Sequence, residues 1–363
     1  MEGIAVHAHN VLKRITKAHP EHQFLFLFDR AYDEEFIYSE NITPVVLYPQ
    51  ARHPILFYWW FEHSVAGVLN KVKPDLFYSP DGFLSLKAKV CSLPVIHDIN
   101  YEHYPEDLPK HISRYYKKYM PKFIQKGQRV ITVSEFSKKD IVDKYKKEPG
   151  KIDVVYNGAD EAYKPLSSTE KESVRAKYSN GKDYFLYVSA LHPRKNVKRL
   201  LQAFDKFKEA NKSDIKLVLV GPMYFKNNEM EQVYKGMKFK DEVIFTGRLN
   251  VDELCKVTGA AFALTYVSYF EGFGIPVIEA MQCDIPVITS NVTSMPEIAG
   301  DAALQVDPFS VDAIAKAMQD IFKDEVLRQK LIEKGRVRCK FFSWDKTAEL
   351  TWNSIEKTVA ECR

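Results

Sequence analysis

Short apolar, β-branched runs alternate along the chain with stretches whose apolar residues recur at helical spacing, the pattern of an α/β protein with parallel sheets. In the first half, FLFLF (24–28), LFY (76–78), PVIH (94–97), RVITVS (129–134) and IDVVYN (152–157) predict strands. In the second half the signal is stronger: YFLYVS (184–189), KLVLVG (216–221), VIFTG (243–247), AFALTYVS (261–268) and PVITS (286–290). Between them, Val197, Leu200, Leu201, Phe204 and Phe207 mark one helical stripe, and Ile314, Met318 and Ile321 another. The chain opens differently. Ile4, Ala8, Val11, Leu12 and Ile15 already follow helical spacing, so a helix precedes the first predicted strand. Most strand runs end in a small or polar residue, and open α/β sheets bind ligands at those carboxyl ends.

With 363 residues the chain exceeds one comfortable core and divides into two domains. Residues 158–183 lack a strand signal and are rich in Lys, Glu, Ser and Asn, which places the linker near Pro165. The expected division is 1–165, 166–342 and a tail 343–363, with two doubly wound domains facing a cleft. A composition of 45% hydrophobic and 28% charged residues excludes a disordered chain. The net charge of +4 is too small to imply nucleic-acid binding. Five scattered cysteines without C-x-x-C or metal-ligand spacing favour a reducing compartment. No apolar run approaches the roughly 20 residues of a membrane span, and the start has no signal-peptide layout, so a cytoplasmic protein is expected.

Candidate chemistry concentrates in FEGFGIPVIEA (270–280), after the strand AFALTYVS. It reads as a loop entering a helix, with Pro276 in the first turn where a missing N–H costs nothing. Gly272 and Gly274 let backbone approach a ligand, and the amides around Phe273, Gly274 and Ile275, with the helix dipole, suit a diphosphate. Glu279 sits among Val277, Ile278, Ala280 and Met281, where a carboxylate needs donors such as a ribose diol. Glu271, eight positions earlier in an open loop, is placed to accept from sugar hydroxyls. Two surface carboxylates beside a glycine turn are the competing reading of so short a pattern.

In ALHPRKNVKRLLQAF (190–204), Arg194 and Lys195 stand immediately before a helix, where cations oppose the macrodipole unless an anion is bound. They would neutralise a diphosphate without a metal, in agreement with the absence of any D-x-D pair. A solvated basic loop is the alternative. The sequence also lacks G-x-x-x-x-G-K-[ST] and an intact G-x-G-x-x-G. In the first domain VIHD (95–98) puts His97 at a strand end, as a structural residue or a polar contact to a sugar. Ser137 with Asp140 has the spacing of a capping box. Residues 110–129 carry seven Lys or Arg and no acid, interleaved with Tyr115, Tyr116, Tyr119 and Phe123. That segment suits an anionic membrane surface or a solvated face over a buried aromatic stripe, and both readings stand.

Taken together, YVSALHPRKNVKRLLQAF, LVLVGP, VIFTGRL, SYFEGFGIPVIEAMQCDIPVITSNVTSMPEIAGDAALQVDP, VIHDINYEHYP and VITVSEFSKKDI resemble the retaining glycosyltransferase family 4, of the GT-B fold. The resemblance implies a nucleotide-diphosphate sugar as donor and a glycan or lipid-linked acceptor, with neither cofactor nor metal. It assigns Glu279 to the ribose, Glu271 to the donor sugar, backbone of Phe273, Gly274 and Ile275 to sugar and diphosphate, and Lys195 to phosphate. Where many members carry an Arg five positions before that Lys, this chain has Ala190, and Arg194 substitutes as in members with a PRKN motif. His97 matches a sugar contact, and Leu249 lies where backbone holds the base.

The implied mechanism is front-face transfer with retention, the departing diphosphate helping to deprotonate the acceptor, so Glu271 is not a nucleophile. The tail 343–363 resembles the family's last helix, which returns to the first domain. The PRKN motif leans towards mannose from GDP-mannose in surface polysaccharide assembly; the basic segment 110–129, on its membrane reading, adds peripheral contact at the inner face of a membrane, and nucleic acid is not expected as partner. One departure concerns the start: members open with a strand and a Gly-rich loop, of which Gly3 is the trailing glycine here, and reduced stability or activity is expected. A non-catalytic sugar-nucleotide binder, an epimerase with its own acid–base residues and a phosphorylase, whose cofactor-Lys motif is not found, are the alternatives.

Overall fold

The computed structural model describes residues 3–222 and 229–363. The chain divides into two compact units, Met1–Gly158 with Trp344–Arg363, and Ala159–Ser343.

The first unit opens with the helix Gly3–Ala18, which buries Val11 and Ile15 and leaves Ile4 exposed. Strands β1 (Phe24–Phe28) and β2 (Ile42–Val46) form a parallel pair. A four-stranded parallel sheet follows in the order β3 (Phe77–Ser79), β4 (Ser92–Ile96), β5 (Val130–Thr132) and β6 (Ile152–Val154). The strand β2 escapes the hydrophobic pattern because Pro44 interrupts it. Proline is tolerated there since β2 pairs with β1 alone among the described residues. The last helix, Trp344–Cys362, packs on the first: Trp352 stacks on His19 with ring centroids 3.7 Å apart, and Arg14 Nε donates to Asp345 Oδ1 at 2.6 Å.

Two sequence expectations are corrected in this unit. Cys91, just before β4, and Cys362, in the last turn of the last helix, form a disulfide across a sequence separation of 271. Spacing conceals the pair because only the return of the last helix brings the two together. The expected cap of the helix Glu135–Tyr145 is also reassigned: Ser134 Oγ accepts from Ser137 N at 3.1 Å, while Asp140 is hydrogen-bonded to His103 at 2.9 Å.

The basic segment forms the helix Lys110–Lys126. Tyr115, Met120, Phe123 and Ile124 point into the core, while Lys110, Arg114, Lys117, Lys118 and Lys122 are exposed at spacings that follow one helical face. No helix among the described residues is long and apolar enough to cross a membrane.

The second unit starts within the presumed linker, whose residues include a helix, Ser168–Ser179, closed at its N-terminus by a Ser167/Glu170 capping box. Its sheet is wholly parallel, built from β7 (Tyr184–Val188), β8 (Lys216–Val220), β9 (Val243–Gly247), β10 (Ala263–Tyr266), β11 (Val287–Ser290) and β12 (Ala303–Val306). The spatial order is β12-β11-β10-β7-β8-β9. The chain therefore winds outward in one direction from β7 and then resumes on β7's other side with β10. That neighbouring pair is the switch point at which open α/β sheets bind ligands. Both predicted helical stripes are confirmed in its core, Val197 to Phe207 and Ile314 to Ile321.

Candidate functional site

The carboxyl ends of β7 and β10 lie side by side at the switch point, and each feeds a loop carrying charge. From β7 the chain reaches a 3-10 turn, Pro193–Lys195, then Asn196 in left-handed backbone (φ 61°) at the start of the helix Val197–Ala210. Asn196 Nδ2 donates to Val267 O at 2.9 Å and to Pro308 O at 2.6 Å, which pins this turn to the loops after β10 and β12. Gly221, at the end of β8, permits the close approach beneath. Its φ is 147°, and a Cβ there would lie 2.0 Å from Ser189 O.

The structure brings Arg194, Lys195 and Glu271 together. Lys195 Nζ donates to Glu271 Oε1 at 2.6 Å and to Tyr266 Oη at 3.0 Å. Arg194 Nη1 donates to Glu271 Oε2 and to Phe270 O, each at 3.0 Å. Tyr266 Oη donates in turn to Glu271 Oε1 at 2.8 Å. Glu271 is 5% exposed and Lys195 9%. Burial alone would raise the Glu271 carboxyl, but the charges of Lys195 and Arg194 and the Lys195 hydrogen bond outweigh it and hold the pKa at about 2. Glu271 is thus an interior carboxylate with both oxygens occupied, which corrects the expectation of an open loop acid. A buried charge is retained only where opposite charge and donors surround it. Tyr266, which sequence reasoning read only as a strand residue, completes the cluster.

Gly274 has φ 100° and caps the N-terminus of the helix Ile275–Gln282, with Pro276 in the first turn as expected. Phe273 is buried against Phe342, and Ser294 Oγ donates to Glu271 O at 2.9 Å and to Phe273 O at 3.3 Å, fixing the loop's path. Glu279, half-buried one turn into that helix, meets the hydroxyl of buried Tyr163. Desolvation pushes its pKa up to about 8, opposed by the Tyr163 hydrogen bond and reinforced by Asp160. Cys255 and Cys283 lie close enough to feel Glu279, and burial raises both thiols. Leu249 is half-buried in the loop after β9, just before Asn250 caps the helix Val251–Gly259. Nothing in the sequence distinguished Tyr163, which falls in the presumed linker.

Gly3 and His97 belong to the first unit. Gly3 begins the helix Gly3–Ala18, with open space where a Cβ would stand. His97 follows β4 and hydrogen-bonds Pro80 O through Nε2 at 2.9 Å. Its ring lies edge-on to His7, 5.0 Å between centroids, and desolvation lowers its pKa. His7 in turn is hydrogen-bonded through Nδ1 to Asn157 Oδ1 at 2.7 Å. Among the described residues no group of three or more His, Cys, Asp or Glu is placed to hold a metal ion.

Residues 1–163 match the profile of Glycosyltransferase Family 4, and residues 168–338 that of Glycosyl transferases group 1. The chain is 30% identical over 292 residues to O-antigen chain mannosyltransferase B of Escherichia coli, covering 80% of this chain and 76% of that protein. The chain belongs to glycosyltransferase family 4. Another relative of this glycosyltransferase, O-antigen chain mannosyltransferase RfbU of Salmonella typhimurium, is 30% identical over 227 residues, 62% of this chain and 59% of the relative. Among solved structures, HepE of Anabaena in complex with UDP-glucose superposes with a TM-score of 0.77 at 16% identity, covering 98% of this chain and 96% of that one. That likeness is one of fold, the GT-B fold with two Rossmann-like domains. In this family 4 glycosyltransferase Arg194, Lys195 and Glu271 flank the switch point of the second domain, whereas Leu249 follows the edge strand β9.

Proposed function

We propose that this glycosyltransferase moves mannose from a nucleotide-diphosphate sugar to a glycan or lipid-linked acceptor in surface polysaccharide assembly, with retention and without a metal. The observation that carries the reading is the Lys195–Glu271–Arg194 cluster at the end of β7 and β10. Two cations held beside a helix N-terminus form a ready anion site once a diphosphate competes with Glu271 for them. The displaced carboxylate then accepts from the hydroxyls of the donor sugar. Glu279 accepts from the ribose diol, and backbone at Leu249 holds the base. The departing diphosphate takes the acceptor proton, so no protein base is required. Mannose is favoured by the relatives, both O-antigen chain mannosyltransferases by name. Contacts from Gly3 and His97 rest on the family resemblance alone.

Calorimetric titration with GDP and UDP in the presence of a chelator tests the donor site. GDP binding that is retained with chelator and lost in Glu279→Ala supports the reading; a metal requirement removes the claim of metal independence. Incubation with GDP-mannose and NMR of the product's anomeric centre then tests transfer and retention.

A further inference from the structure

The basic helix Lys110–Lys126 does not display its own aromatic residues, yet it lies beside a surface that does. Against it packs the helix Pro54–Trp59, through Phe57 and Tyr115 (ring centroids 5.8 Å apart), Tyr58 and Tyr119 (6.0 Å) and stacked His53 and His111 (5.6 Å). On the outer side of that short helix, Ile55 and Trp59, one turn apart, are 62% and 51% exposed. Tyr48 is 70% exposed nearby, its carbonyl accepting from Ser64 in the turn that follows Trp59. An exposed cluster of Ile, Trp and Tyr calls for a partner, whereas scattered apolar residues do not.

Charge identifies the kind of partner. Lys118 and Lys122 lie over the Tyr119 ring at 5.0 and 5.8 Å, beside Tyr58, and Lys110, Arg114 and Lys117 continue the exposed face. Arg52 and Lys87 add cations at the other margin, Lys87 Nζ lying 3.5 Å from His63, which stacks on Trp59. Across residues 47–73 the sole carboxylate is Glu62, which is buried and accepts from the amides of Leu86 and Lys87. Residues 108–134 contain none. Lysine is depleted at protein–protein interfaces, but Trp, Tyr and an aliphatic residue rimmed by Lys and Arg is the composition of a surface that enters a lipid headgroup layer.

We propose that this face of the first unit docks on an anionic lipid bilayer. Ile55, Trp59 and Tyr48 enter the headgroup layer, and the stripe from Lys110 to Lys122 lies against lipid phosphates. Neither part suffices alone: the apolar group is small, and each cation near an anionic surface adds only about fivefold to partitioning. The inference is independent of the donor-site reading.

Flotation of the full chain with vesicles tests it. Binding is expected to phosphatidylcholine vesicles containing phosphatidylglycerol, and to fall away with phosphatidylcholine alone or at high salt. Lys117→Gln, Lys118→Gln and Lys122→Gln should each weaken binding about fivefold. Ile55→Ala with Trp59→Ala should weaken it by about tenfold or more at an unchanged melting temperature. Should that pair fail to fold, Trp59→Phe serves, with loss of the quenching of tryptophan emission by brominated lipid. No binding to the anionic vesicles, equal binding to both, or binding and quenching undiminished in the Ile55 and Trp59 variants would overturn the proposal.

Discussion

Lys195 Nζ lies 2.6 Å from Glu271 Oε1, in a place where both side chains are almost wholly buried. Such a pair is held in place by mutual need, since removing one charge strands the other at a cost of about 3–5 kcal/mol. Arg194 and Tyr266 share the same carboxylate, so the domain holds its two cations on its own acid.

Glu271→Gln is therefore expected to lower the melting temperature of the free protein and to enlarge the stabilisation given by added GDP. The nucleotide replaces the missing negative charge and no longer competes with a carboxylate. Thermal melts with and without GDP check both directions. Transfer should fall sharply in the same variant even though nucleotide binds more tightly, because the sugar loses its carboxylate.

Acid unfolding should report the same residue. The Glu271 pKa is depressed from an ordinary 4.5 to about 2, so its contribution to stability is full above pH 4.5 and is lost as pH falls towards 2. In Glu271→Gln, urea midpoints should lose this component of their decline below pH 4.5.

Glu279 behaves in the opposite sense. With its pKa raised from 4.5 to about 8, the folded protein retains a proton that the unfolded chain releases, so this group's contribution weakens as pH rises between those values. A ribose diol donating to the carboxylate favours the ionised form, and nucleotide binding at pH 7 should release protons. Calorimetry in buffers of different ionisation enthalpy measures that release. It should vanish in Glu279→Gln and persist in Lys195→Gln if any binding remains.

Gly221→Ala should destabilise by about 1–3 kcal/mol or more, since a left-handed backbone and the Ser189 carbonyl both oppose the added methyl. Equilibrium denaturation provides the value, and a neutral result would mean that β7 and β8 separate freely at their ends.

Reduction of Cys91–Cys362 should lower the stability of the first unit by about 2–4 kcal/mol, as loss of a long-loop cross-link does. Melts with and without reductant, compared with Cys362→Ser, check this. Nucleotide affinity should not change.

Much of the fold was legible because parallel strands buried on both faces are written as continuous apolar runs, and all five such runs of the second half became strands. The exceptions were β2, interrupted by Pro44, and β12, a short ALQV with Gln305 in it. The site was legible as separate parts. Glu271, Glu279, Arg194 and Lys195 could be named from their local company, but Lys195 and Glu271 are 76 positions apart and no local pattern reveals that one neutralises the other. Tyr163 and Tyr266 carried no signal, because a tyrosine in a linker or a strand reads as packing until its hydroxyl is seen to meet a carboxylate. The cysteine pair was hidden in the same way, by a chain that closes on itself only at its last helix.

The adjacency of β7 and β10 also acts as a proofreading device for the sheet. Phe185 stands opposite Ala263 and Leu186 opposite Leu264, and a slip of one residue would turn every side chain of β10 to the other face. Tyr266 would leave the cluster, and Lys195 would be left in the interior beside a misplaced acid. A misaligned sheet would thus carry the penalty of an orphaned charge as well as a poorly filled core. The buried charges of this cluster meanwhile discriminate against wrong strand alignments.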